Sequence, residues 1–140
     1  MKHFGNMNGL VGLLLKSQAQ SGNAIDAKTA AAVSKETGVP TAKIYGVTTF
    51  YAMFSNEKRG ENIIRMCKSA PCHVKGAKAV LRAFEEALGV ACGETTADGR
   101  FTLETCECLG ICDVSPAVMI NDEVFGNLTP ESVPGLLAKY

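Results

Sequence analysis

Two cysteine pairs constrain this chain more than any other feature. Cys67-Lys-Ser-Ala-Pro-Cys72 and Cys108-Leu-Gly-Ile-Cys112 are separated by 35 residues, and each follows a run that reads as a β-strand. Loops leaving the same edge of a sheet converge, so a fold that sets these strands side by side gathers four thiolates at one place. The other two cysteines, Cys92 and Cys106, lie in the same part of the chain. A chain of 140 residues buries about two-thirds of its unfolded surface and needs no cross-links to fold. Lys2 and His3 precede an apolar stretch, Leu10 to Leu15, that Lys16 closes at once. That is short for the roughly 7–15-residue core of a secretory signal. The same segment reads better as an amphipathic helix over residues 7–20, with Met7, Leu10, Val11 and Leu14 on one face. A cytoplasmic location is expected, where thiols are more often metal ligands than disulfides.

Charge divides the chain in two. Residues 1–60 hold seven basic and three acidic side chains, net +4, and residues 61–140 hold seven basic and eleven acidic ones, net −4. The formal total of zero argues against a nucleic-acid binder, which usually carries a strong basic excess. No apolar run approaches the roughly 20 residues that span a bilayer, so no direct membrane insertion is expected. The polar joint Glu57-Lys58-Arg59-Gly60-Glu61 marks a boundary between residues 1–58 and 59–140.

The first part reads as helical. Asp26 is placed to cap an alanine-rich helix that Gly38 stops, and Val39-Pro40 separates it from a third helix that Thr41 is placed to cap. Phe50, Tyr51, Met53 and Phe54 follow, and such aromatics are expected in a core. If part of that face is exposed instead, it suits a docking partner. The second part alternates. Residues 62–66 read as a strand, 76–88 as a helix closed by Gly89, 101–105 as a strand, and 117–120 and 124–125 as a hairpin about Asn121-Asp122. A last helix starts at Thr129-Pro130. This order is that of an α/β unit with the pattern of a thioredoxin-like sheet.

The spacings C-x4-C and C-x3-C exceed the two-residue gap usual in zinc knuckles, and they suit a two-iron cluster in which each iron takes two thiolates. Spacing alone leaves structural zinc and unligated or redox thiols open as well. No C-x-x-C is present, so the usual dithiol of a thioredoxin-type oxidoreductase is missing. His73 reads as a loop or cap residue. Cys92 and Cys106 read as buried bystanders, with Cys106 on the same strand face as Cys108. Lys68, Lys75 and Lys78 surround the first pair, and Glu104, Glu107 and Asp113 flank the second with opposite sign. The backbone near Ala70 and Gly110 can approach sulfur closely and donate N–H groups to it.

Gly46-Val-Thr-Thr-Phe-Tyr51, Cys67-x4-Cys72-His73-Val74 and Glu107-Cys108-Leu-Gly-x-Cys112 together resemble the thioredoxin-like 2Fe–2S subunit family. That family includes the small ferredoxin subunit beside the flavoprotein of respiratory complex I. It also includes the related subunits of NAD(P)-linked hydrogenases, formate dehydrogenases and electron-bifurcating complexes. The resemblance implies an α/β chain: an N-terminal helical subdomain, then a thioredoxin-like 2Fe–2S ferredoxin domain with Cys67, Cys72, Cys108 and Cys112 as ligands of one 2Fe–2S cluster. Cys92 and Cys106 fall outside that ligand pattern, and Pro116 resembles the proline, often cis, before the third strand of thioredoxin-like folds. The implied role is a non-catalytic electron-carrier subunit of an NAD(P)H-linked oxidoreductase complex. FMN and NAD(P) are expected on a partner flavoprotein subunit, with further iron–sulfur subunits beside it, since this chain has no Gly-rich dinucleotide fingerprint. Lys68-Ser-Ala-Pro71 differs from the commoner Thr-Gly-Thr-Ala type, and Pro71 donates no N–H. The reading from a different class is a zinc-stabilised interaction module.

Overall fold

The computed structural model describes residues 9–140, so Met7, the expected start of the first helix, lies outside the described residues. Contacts divide the described residues into two compact units that meet in sequence at Arg59 and Gly60.

The first unit is helical: α1 (Leu10–Gln20), α2 (Ala27–Thr37) and α3 (Thr41–Phe50). Local chemistry sets the ends of α2. The Thr29 N–H donates to Asp26 Oδ1 at 2.7 Å, satisfying one of the amides that a helix start leaves unpaired. Gly38 stops the helix at φ 71°, a left-handed conformation that glycine adopts without a Cβ penalty. Leu10, Leu14, Ile25, Val33, Val39, Ile44 and Phe54 form the core. Gln18 is buried in it with both ends of its amide used: Nε2 donates to the Met53 carbonyl at 3.0 Å and Oε1 accepts from the Ser55 N–H at 2.9 Å.

Three of the four residues Phe50, Tyr51, Met53 and Phe54 depart from the expectation of a core. Phe54 is buried, but Phe50 is 79% exposed, and Tyr51 and Met53 are largely exposed as well. The reason is helical phase: Ile44 and Thr48, one turn apart, form the buried face of α3, and Phe50 falls two residues off it.

The second unit is built on a sheet of order β2-β1-β3-β4. Its strands are β1 (Asn62–Cys67), β2 (Phe101–Cys106), β3 (Val118–Ile120) and β4 (Glu123–Phe125). β1 and β2 run parallel, with Cys67 opposite Cys106, while β3 pairs antiparallel with both β1 and β4. The parallel pair needs a crossover, and the intervening chain supplies α4 (Ala70–Val74) and α5 (Ala77–Leu88), the latter closed by left-handed Gly89. Val80 and Phe84 of α5 pack into a core with Ile64, Met66, Leu103, Val118 and Ile120. The tight turn between β3 and β4 rests on Asn121, at φ 54°, whose Oδ1 accepts the Ile63 N–H at 2.9 Å. The Ser115–Pro116 bond ahead of β3 is cis. The chain ends in a short 3-10 turn and α6 (Val133–Leu137), with Thr129 and Ser132 capping each other. No described helix is long and apolar enough to cross a membrane.

Candidate metal centre

The two cysteine pairs sit where the parallel strands end. β1 delivers Cys67 as its last residue, and α4 follows after two residues with Cys72 on its inner side. β2 ends at Cys106, directly before Glu107-Cys108, and a 3-10 turn begins at Cys112. Parallel strands point their C-terminal ends the same way, so both loops emerge at one edge. The Lys68 N–H continues the ladder by donating to the Cys106 carbonyl at 3.0 Å. Across the same gap, Lys68 Nζ meets Glu107 Oε1 at 3.0 Å, so two charges of opposite expected influence are paired. One step back along the strands, Arg65 Nε meets Glu104 Oε1 at 2.7 Å.

Within the second pair, the Cys108 and Cys112 sulfurs are 3.6 Å apart. Two thiolates on one tetrahedral metal with bonds of about 2.3 Å stand about 3.8 Å apart, so this pair has the spacing of shared ligands. The Gly110 N–H donates to Cys108 Sγ at 3.3 Å, with Gly110 at φ 82°. This is the close backbone approach expected there, and the left-handed backbone explains a glycine at that position.

The thiols' proton affinities respond to groups of both loops. Burial works to push the Cys67 thiol up, yet hydrogen bonds from the Ser69 backbone, the Cys72 thiol and the Leu109 backbone hold it below the ordinary value. Leu109 belongs to the second loop, so the backbone of that loop lowers the proton affinity of a first-pair thiol. The Cys112 thiol is held above the ordinary value, first by its hydrogen bond to Cys108, then by burial and by the negative potential of Cys108, Cys72 and Cys67. The other three candidate ligands therefore all act on Cys112. Among the described residues no three His, Cys, Asp or Glu side chains close round a single ion. A set of two thiolate pairs is the donor set of a two-iron cluster, one pair for each iron. Cys67 and Cys72 are buried, Cys112 is partly so and Cys108 is exposed, so the second pair forms the outer edge.

The remaining cysteines behave differently from each other. Cys106 is half-buried opposite Cys67, and burial pushes its thiol up to about 11, which keeps it protonated. Cys92 was expected to be buried, but it is exposed in the turn after α5, its N–H donating to Glu85 Oε1 at 3.1 Å. The break after Gly89 takes it off the buried stripe of the helix. His73 lies exposed in α4. Sequence reasoning missed α4 itself and the Leu109 amide. A five-residue helix is too short to show a period, and backbone donors leave no trace in residue type.

Comparisons with known proteins follow the same lines. The family described as "Thioredoxin-like [2Fe-2S] ferredoxin" matches residues 2–140. The HndA subunit of the NADP-reducing hydrogenase of Solidesulfovibrio fructosivorans is 43% identical over 102 residues, covering 73% of this chain and 60% of that protein. A subunit of the NADH-quinone oxidoreductase of Escherichia coli (strain K12) is 40% identical over 109 residues, covering 78% of this chain and 66% of that protein. A crystal structure of an NAD+-reducing [NiFe]-hydrogenase in the air-oxidized state matches with a TM-score of 0.79 at 26% identity, over 91% of this chain and 22% of that one. The matched region is thus just under two-thirds of the length of these curated relatives.

Proposed function

The chain belongs to the thioredoxin-like 2Fe–2S ferredoxin family and has its α/β fold, and from that premise we propose that it is the electron-carrier subunit of an NAD(P)H-linked redox complex. Cys67, Cys72, Cys108 and Cys112 hold one 2Fe–2S cluster, and the cluster when bound supplies one-electron chemistry. The protein's own part is to present thiolates and tune them. The observation that carries the reading is the placing of the cysteine pairs: both follow the C-terminal ends of the adjacent parallel strands, and the second pair's sulfurs stand 3.6 Å apart. The Gly110 amide donates to Cys108 sulfur, and such bonds stabilise the more negative, reduced state and raise the potential. Lys68 adds positive charge beside Cys67, but its ion pair with Glu107 blunts that influence.

The partner in this reading is a flavoprotein subunit that carries FMN and binds NAD(P)H, with further iron–sulfur subunits of the same complex. The exposed aromatic end of α3 supports such an assembly role. Tyr45 is 63% exposed, and Phe50 and Tyr51 stack edge to face with ring centres 5.0 Å apart. Aromatic side chains held outside the core in this way are typical interface anchors. The complex is placed in the cytoplasm or on the cytoplasmic face of a membrane. Relatives named as subunits of a hydrogenase and of a quinone oxidoreductase support the class of complex and leave its electron acceptor to the partner genes. The test is anaerobic co-expression with the flavoprotein gene encoded nearby. A coloured complex holding both chains, with two irons and two sulfides per copy of this chain, is the expected result. A colourless chain with one zinc and no partner would replace this reading with the zinc-stabilised interaction module.

A further inference from the structure

The second unit carries an unexpected basic face beside the first cysteine pair. Between Glu61 and Glu85 there are five basic side chains (Arg65, Lys68, Lys75, Lys78 and Arg82) and no acidic one, although residues 61–140 are net −4. Arg65 and Lys68 are committed to Glu104 and Glu107. Lys75, Lys78 and Arg82 are exposed and in no ion pair among the described residues. Lys78 and Arg82 are one turn apart on α5 and share a side of it, which the exposed Glu86 bounds one turn further on. Next to them α4 turns Cys72 inward and Ala70, Pro71 and Val74 outward, with Val74 83% exposed. A cleft of about 120 Å³, lined by Cys67, Lys68, His73 and Lys78 among others, reaches from Lys78 to the candidate cluster ligand.

We propose that this face is the docking surface for an acidic redox protein, whose carboxylates meet Lys75, Lys78 and Arg82 while an apolar contact covers Val74. The inference rests on the reading of Cys67 and Cys72 as cluster ligands, because that is what makes closeness to α4 useful to a redox partner. Charge complementarity selects the occupant. Three cations round a small apolar spot give a steered, short-lived encounter of the size of transient redox contacts, under about 1,200 Å². Nucleic acid calls for a broader basic surface and stacking aromatics, and this face has no aromatic. An anionic membrane calls for clusters of about 4–8 cations.

The test measures complex formation by calorimetry at low salt, with a plant-type ferredoxin as the acidic probe, and records the visible spectrum separately. Binding does not require the cluster, so loss of colour reports on the cluster reading and loss of heat on this one. Triple reversal Lys75→Glu, Lys78→Glu and Arg82→Glu is expected to weaken binding on the order of tenfold or more and to flatten its salt dependence. Val74→Asp is expected to weaken it as well. The control reverses three lysines of the first unit, Lys16→Glu, Lys28→Glu and Lys35→Glu, and is expected to leave binding nearly unchanged. Equal loss in both triple variants, or no binding by the wild-type chain, overturns the proposal. So does flotation of the wild-type chain, but not the face variant, with vesicles containing one-third anionic lipid, which would make the face a membrane contact.

Discussion

Gly126→Ala tests the packing that holds the outer cysteine pair. Gly126 follows β4 and lies against Val114, the last residue of the 3-10 turn that begins at Cys112. An added Cβ would press on Val114 Cγ2 and lie 2.6 Å from both the Val114 Cβ and its carbonyl oxygen. Comfortable carbon contacts stand at about 3.5–4.0 Å, so something must move by about an ångström. Rotation of the valine relieves only the Cγ2 contact. The carbonyl is backbone, and it also accepts the Asn127 N–H at 2.5 Å, so relief there carries the Cys112 turn with it. Overpacking of this kind costs about 1–3 kcal/mol, and a backbone contact places it in the upper half. In a unit of this size that lowers Tm by about 10 °C or more. Circular dichroism gives the Tm, and the rate of iron loss to a chelator reports on the cysteine loop. Gly135→Ala is the matched control: nothing lies within 4 Å of its added Cβ in α6, so it should be neutral or stabilise by up to about 1 kcal/mol. A Gly126→Ala chain within about 0.5 kcal/mol of wild type that lost iron no faster would refute the reasoning.

Other variants probe the remaining links. Cys67→Ser or Cys112→Ser should abolish a normal visible spectrum and iron content, whereas Cys92→Ser, in an exposed turn, should leave both unchanged. Phe50→Ser together with Tyr51→Ser should leave the unfolding of the first unit nearly unaffected, since both rings are exposed, while the yield of co-purified flavoprotein falls several-fold. Asp26→Asn should destabilise the first unit near neutral pH, and that difference should fade in acid. The Thr29 amide and hydroxyl hold the folded Asp26 carboxyl below its ordinary value, so the unfolded chain binds the extra proton first. The stabilisation is therefore complete above the unfolded pKa of about 4 and is lost as pH falls through the lower folded value. Urea unfolding from pH 7 down to about pH 3 checks this.

Much of this structure was legible where the signal is local. Asp26 caps, Gly38 and Gly89 stop, and residues 62–67 and 101–106 extend because each rests on nearest-neighbour sterics or hydrogen bonds. The cysteine spacing likewise picked out the two loops that follow β1 and β2, in the second of which the sulfurs stand 3.6 Å apart. What escaped depends on packing across the chain. The sheet order and the antiparallel insertion of β3 beside β1 rest on pairings that link distant segments. Thr41 was expected to cap α3, but Pro40 holds the cap position and no side chain caps there. Phe50 and Tyr51 were read by residue type, and the phase of Ile44 and Thr48 would have placed Phe50 outside. Cys92 was read the same way, although it follows the helix stop at Gly89.

The central claim is that this chain carries one two-iron, one-electron centre on two thiolate pairs. The most direct measurement is spin quantitation by electron paramagnetic resonance on the anaerobically purified, dithionite-reduced chain, set against its iron and sulfide content. The expected result is one unpaired spin for every two irons and two sulfides, lost in the Cys67→Ser and Cys112→Ser chains and kept in Cys92→Ser. A spin-silent protein with one zinc per chain, or a full signal surviving the loss of either ligand pair, would contradict it.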